Sequence, residues 1–471
     1  MNAVRAHPWA WGTAALAAAL ALGLSWCILR SPLTLNDGLG PILDSRRSPS
    51  LSSTFDGALY SNGYWRPLRL TQIKAVVDAS PDNPIVAFKA IHVILVSATF
   101  LLFAAWIRPR SMAEFTAAAI ALMIPAGHHS FFVLFSEAYP INHFLEIVAL
   151  ALAVAVLARG APRWWKDLLA VLLFAVGAVT IESGLLIGVA AVACWLVGWR
   201  GISWRGVTAV LVVMAAYFWV RFIVLDIPSP GLDERATGWW LARLEPDEIA
   251  RRFSDNPLPL YAYNVITGFV GALLSEPRSG MFGLTARLLK DDVRPWMVIQ
   301  ILSSVLVTGV MLTALIPALR HWRRRVLDDH DRFVLLAFAM LGANALMVFG
   351  YVKDEVLSVG VAFYAAGAFA VLARLGDRVA ARDATAALLL AAASVLWTTR
   401  AADTFVSLQR SAYNVANAWA LYSLARELPK DWSYEPTRRL FLDLQQRSVS
   451  RGVPHPVFTV QPYVADYLES D

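Results

Sequence analysis

Long apolar runs separated by short polar turns set the character of this chain. They lie at 9–29, 85–107, 112–126, 141–158, 168–180, 185–199, 207–225, 297–319, 333–351, 356–375 and 384–397. About 20 apolar residues in a helix cross the hydrocarbon core of a bilayer. The pattern therefore predicts an all-α, polytopic transmembrane bundle of about eleven spans. The first run is long for the apolar region of a secretory signal, and Trp26 precedes Cys27 where a lipoprotein signal needs a small residue, so it is read as the first span.

The positions of the bases orient the spans. Arg108 and Arg110, then Arg159, Arg163 and Lys166, then Arg200 and Arg205, then Arg320, Arg323, Arg324 and Arg325, and finally Arg374, Arg378 and Arg382 gather at alternate turns. Short basic loops stay on the cytoplasmic side. The turns at 128–140, 180–183 and 351–355 carry one base, Lys353, and read as outer turns. The apolar stretch 257–274 would invert the Arg323 cluster if it crossed, so it is read as an amphipathic or re-entrant helix in an outer loop. The reading places a multi-pass chain in the inner membrane, with the N-terminus inside and the C-terminus periplasmic. A transmembrane module spans 1–398, with outer loops at 31–83 and 226–296. A small extracytoplasmic helical tail follows at 399–471, where Phe405, Leu408, Ala412, Val415 and Trp419 share a helical face.

Composition agrees with a bilayer partner. Of 471 residues, 58% are hydrophobic and 16% charged, and the mean hydropathy is +0.53. The 18 Trp and 13 Tyr suit interfacial anchors. A net charge of +6 without a basic stripe argues against a nucleic-acid partner. Both cysteines, Cys27 and Cys194, sit in apolar runs and imply neither a disulfide nor a thiolate metal site. His128, His129, Glu137 and His143 form the one metal-like cluster, but their spacing matches no zinc signature. Walker loops, dinucleotide fingerprints and nucleophile elbows are absent from the sequence.

The candidate chemistry lies on the outer side. Asn36-Asp37-Gly38 follows the first span, and Tyr64-Trp65-Arg66-Pro67 precedes the second. A carboxylate there can act as a general base or hold a divalent cation, and a guanidinium fork suits phosphate oxygens. The alternative is a plain turn at 36–38 and an interfacial anchor at 64–66. Tyr60, Tyr64 and Trp65 can stack on a sugar. Lys89, Glu137, Glu182 and Arg221 are ionisable groups in or beside apolar spans, where an unpaired charge costs at least about 2.5 kcal/mol. Lys89 and Arg221 either hold a lipid-linked phosphate or extend to the interface. Glu182 is either a second acid of the site or the structural partner of a base.

The order of Asp37, Gly63-Tyr64-Trp65-Arg66-Pro67-Leu68 and Phe88-Lys89-Ala90-Ile91-His92 resembles GT-C type membrane glycosyltransferases. It is most similar to the transmembrane O-mannosyltransferases that bear tetratricopeptide repeats. Pro125 with Glu137, Thr180-Ile181-Glu182-Ser183-Gly184 and Tyr217-Phe218-Trp219-Val220-Arg221 extend the similarity over roughly residues 1–375. This chain departs from the pattern at Asn36, Ile181 and Asp354-Glu355, and its tail is too short for the repeats. The resemblance implies transfer of a sugar from a polyprenyl-phosphate donor to an outer-face acceptor, which is a glycan, a lipid or a protein. It implies catalytic roles for Asp37 and Glu182, and substrate binding by Arg66, Lys89, Arg221, Tyr64, Trp65, Glu137 and His92. A divalent cation, Mg or Mn, is the one cofactor this reading admits. The competing classes are a lipid-linked-glycan flippase, polymerase or transporter, and a degenerate relative that scaffolds an envelope complex.

Overall fold

The computed structural model describes residues 8–31, 39–59, 64–81, 83–138, 140–228, 232 and 234–427. Among them, regular structure is almost wholly helical. From the N-terminus run α1 (Pro8–Arg30), α2 (Leu39–Arg47), α3 (Leu51–Leu59), α4 (Pro67–Ala79) and α5 (Pro84–Ile107). Proline opens both α4 and α5, where its missing N–H goes unneeded. Then α6 (Met112–Gly127) breaks at His128 and turns by 66° into α7 (His129–Ser136). Next come α8 (His143–Ala158), α9 (Trp164–Thr180), a 3-10 turn at Glu182–Gly184, α10 (Leu185–Leu196) and α11 (Trp204–Trp219), which continues as a π-turn over Val220–Val224.

The 226–296 segment carries a two-stranded hairpin, β1 (Thr237–Trp239) and β2 (Ala242–Leu244), paired antiparallel. It also carries α12 (Pro246–Phe253), α13 (Leu258–Leu274) and α14 (Gly283–Leu288). Leu244, Ile249, Phe253 and Leu260 give this region a small core of its own. The chain ends in α15 (Pro295–Arg324), α16 (Asp329–Leu346), a 3-10 turn at Asp354–Leu357, α17 (Ser358–Ala380) and α18 (Ala384–Glu427).

Among the described residues, six helices are long and apolar enough to cross a membrane, or seven if the bent pair α6 and α7 is one span. Their outer faces carry large apolar side chains, among them Trp11, Leu22, Ile94, Val212, Ile223, Ile316 and Leu388. Exposed apolar surface spread over several helices needs lipid to cover it, and the chain is a multi-pass membrane protein. The expected count of eleven exceeds these six or seven because α8, α9 and α10 are only 16, 17 and 12 residues long, and α16 carries Asp329, Asp331 and Arg332 in its first turn.

At the centre stands α17, with 94% of its apolar window buried. It packs on α6, α8, α15, α16 and α18. A helix apolar on every side belongs inside a bundle. The bundle has two unlike ends. At one, Arg159 pairs with Asp329 (3.0 Å), and Arg374 reaches Asp328 (2.9 Å) and the buried Asp331 (2.7 Å). That end holds the basic turns. At the other, the three turns with a single base between them come together.

Two expectations are corrected. The boundary after residue 398 falls inside α18, which runs unbroken from Ala384 to Glu427, so the start of the tail continues the last span rather than opening a separate unit. The rest of the tail, from 428, lies outside the described residues. The turn at 128–140 is largely helical, because α7 packs back on α18, α17 and α1.

Candidate functional site

Glu182 is the organising acid. Its position depends on a close approach between α9 and the 3-10 turn. A Cβ on Gly184 would overlap the Gly177 carbonyl, and a Cβ on Gly177 would overlap the Ile187 side chain. Only glycine fits there. The Thr180 hydroxyl donates to Val176 O (2.8 Å) and completes the helix end just before the turn.

Two guanidinium groups meet the Glu182 carboxylate. Arg66, at the N-cap of α4, donates from Nε to Oε2 (2.7 Å), and its Nη2 lies 2.5 Å from the same oxygen. Arg221 brings Nη1 to 3.7 Å from Oε1 and donates to the Tyr217 hydroxyl (3.0 Å). It sits in the π-turn that ends α11. Such turns are rare, and they frequently mark functional sites. The Tyr217 ring stacks at 5.0 Å on Trp65, while the Arg66 guanidinium lies 4.1 Å over the Tyr64 ring. Tyr64 donates to Glu234 Oε2 (3.0 Å). Residues 64–66, 182 and 217–221 thus come from three separate stretches of chain to one place.

A cavity of about 280 Å3 opens beside this cluster. Arg66, Arg69, Arg235 and Lys353 supply its cations, and Glu137 and Glu355 its carboxylates. The sequence reading missed Arg69. Its signal was the spacing, since 66 and 69 share one face of α4. The Arg69 guanidinium makes no hydrogen bond or ion pair to any described residue. Burial pulls it down to about 10, with Arg66 adding to the effect, Glu182 opposing it and Arg235 adding again. It therefore remains cationic at neutral pH. Lys353 pairs with Glu355 (2.6 Å). Deeper in, Glu146 accepts from Gln72 (3.0 Å) and lies 2.9 Å from His143 Nδ1.

Other expected residues lie elsewhere. Lys89 donates to Leu29 O (2.8 Å) and so caps the end of α1. His92 is buried in α5, and neither of its ring nitrogens has a hydrogen-bond partner among the described residues. Asp37 and Tyr60 lie outside the described residues. The histidine cluster disperses as well. His128 bonds Ser130 and Ala272 O, His129 faces Asp354 at 3.8 Å, and His143 pairs with Glu146. Among the described residues, no three His, Cys, Asp or Glu side chains converge as a metal site.

The arrangement has the chemistry to hold an anion. Three arginines, at 66, 69 and 221, surround one carboxylate, and the excess positive charge faces a cavity at the end of the bundle. Family models, curated proteins and solved structures give no match to this chain.

Proposed function

We propose that the protein transfers a sugar from a polyprenyl-phosphate donor to an acceptor at the outer face of the inner membrane. The observation that carries this reading is the surplus of guanidinium charge around Glu182, set against a helix end whose outer side is apolar. Trp219, Ile223 and Val224 flank Arg221 and are exposed, at 59%, 71% and 53%. An isoprenoid chain can lie on that surface while its phosphate reaches inward to Arg66 and Arg69. Phosphate oxygens match guanidinium forks.

In the transfer, an acceptor hydroxyl oxygen attacks the anomeric carbon and forms the new glycosidic bond. The bond from that carbon to the phosphate oxygen breaks, and its electron pair leaves with the polyprenyl phosphate. Charge develops on the phosphate, so fixed cations there supply the main stabilisation. Asp37 keeps the role that the resemblance gives it, accepting the hydroxyl proton. Glu182 holds Arg66 and Arg221 in place and is a positioning residue.

In the full topology, about eleven spans run from an inside N-terminus to a periplasmic C-terminus, with α8 and α10 crossing as short helices. At 1.5 Å per residue, 16 residues cover only about 24 Å. Neighbouring helices, rather than lipid, cover their ends.

The test reconstitutes the full chain in liposomes with a radiolabelled polyprenyl-phosphate hexose and membrane-fraction acceptors. Wild type is expected to deplete the donor. Asp37→Asn and Arg69→Gln are expected to lose at least about a hundredfold in rate, as removal of a general base or an oxyanion-type donor does. Undiminished turnover in both variants would exclude this site.

A further inference from the structure

A second and larger cavity, about 580 Å3, adjoins the first and shares Arg235, Tyr351 and Lys353 with it. Its volume suits a ligand of one or two sugar residues. The walls come from β1, β2, the loop before α14 and the 351–354 turn, all at the outer-loop end of the bundle. No exposed apolar helix face lines it, so a ligand enters from water rather than from lipid.

The charges along this wall are Arg235, Arg243, Arg278 and Lys353 against the single carboxylate of Asp354. That carboxylate is engaged, since Asp354 Oδ1 accepts from the Ser279 N–H (2.8 Å) and faces His129 at 3.8 Å. Among the described residues, Arg243 pairs with Glu245 (3.3 Å), both largely exposed, and Lys353 with Glu355. Arg278 has no hydrogen bond or ion pair from its guanidinium among the described residues, and it lies 5.6 Å over the Trp296 ring. Burial pulls this guanidinium down, and the nearby carboxylates of Asp354, Glu276 and Asp403 oppose that. Among the residues that line the pocket, four cations face one carboxylate, a lining that favours a small anion.

We propose that this cavity is the acceptor site and that the acceptor is an anionic saccharide, bearing a carboxylate or a phosphate, held by Arg278 and Arg243. Calling the ligand an acceptor rests on the glycosyl-transfer reading, but its binding needs no donor. The two ideas can therefore fail separately.

The experiment is calorimetric titration of the full chain in nanodiscs with glucuronate, glucose and inorganic phosphate. Glucuronate is expected to bind at least about tenfold tighter than glucose, one charge-assisted contact accounting for a factor of that size. Arg278→Gln and Arg243→Gln are each expected to weaken glucuronate by about tenfold. Arg243 is exposed on the hairpin, so its variant keeps the test valid if Arg278→Gln fails to fold. Arg287→Gln, the same charge change on α14 outside the cavity, is expected to leave binding unaltered. Equal affinity for glucose and glucuronate, no glucuronate binding by the wild type, or insensitivity to both cavity variants overturns the proposal. Phosphate binding as tight as glucuronate and lost equally in the two variants reduces the site to a plain anion site, and overturns the saccharide assignment. Glucuronate binding without donor turnover leaves this site standing and removes the transferase reading alone.

Discussion

At the scale of single residues, two arginines without carboxylate partners illustrate opposite uses of a buried charge. Arg400 on α18 donates to Gly127 O (3.0 Å), Gln300 O (3.0 Å), Ser303 (2.9 Å), Ser304 (2.8 Å) and Ser275 (3.1 Å). Each guanidinium nitrogen is engaged, and the carbonyl freed where α6 breaks is among the acceptors. Arg400→Met should therefore destabilise the protein by about 3 kcal/mol or more, read as a lower midpoint in detergent-resistant thermal unfolding. Arg69 is the contrary case. Its folded-state pKa is depressed, so its charge subtracts from stability at every pH below about 10 and the penalty fades above that. Arg69→Gln should raise stability by roughly 1 kcal/mol while weakening binding of inorganic phosphate at the smaller cavity. Loss of both stability and binding would make Arg69 a structural residue. From the sequence, Glu182 and Arg221 were recognisable as costly charges beside apolar spans, and Arg66 as a guanidinium fork ahead of the second span. Lys89 looked the same, yet its ammonium caps α1, because sequence position does not fix which way a long side chain turns.

At the scale of elements, the site depends on places where helices stop being regular. The α9 turn delivers Glu182 because two glycines let backbone meet backbone, and the π-turn rotates Arg221 toward it. Gly184→Ala must push the turn away from Gly177, and both thermal stability and donor turnover should fall together. Normal turnover in that variant would falsify the view that this contact positions Glu182. The bend between α6 and α7 at His128 is likewise maintained from outside, by Arg400 and by the Ala272 carbonyl. Apolar runs and proline at helix starts were legible along the chain. The breaks were less so, since Gly127, Gly177 and Gly184 look like other glycines until their neighbours are known.

At the scale of the whole molecule, charge separates into two ends, with arginine–aspartate pairs at one and the cation-lined cavities at the other. Both native cysteines are buried, so an impermeant maleimide should report only introduced thiols. A Cys at Arg324 should label from the cytoplasmic side and a Cys at Ser254 from the opposite side; labelling of both from one side would reverse or break the proposed topology. The sequence by itself determined that the chain is helical, that it lives in a bilayer and that its basic turns alternate, because hydrophobic length and turn charge are local properties. Only the tertiary structure decided that α17 is enclosed, that α8 and α10 can be short because other helices shield them, and that Arg66, Arg69, Glu182 and Arg221 converge. Convergence of residues more than a hundred positions apart is set by packing between helices, which no local pattern encodes.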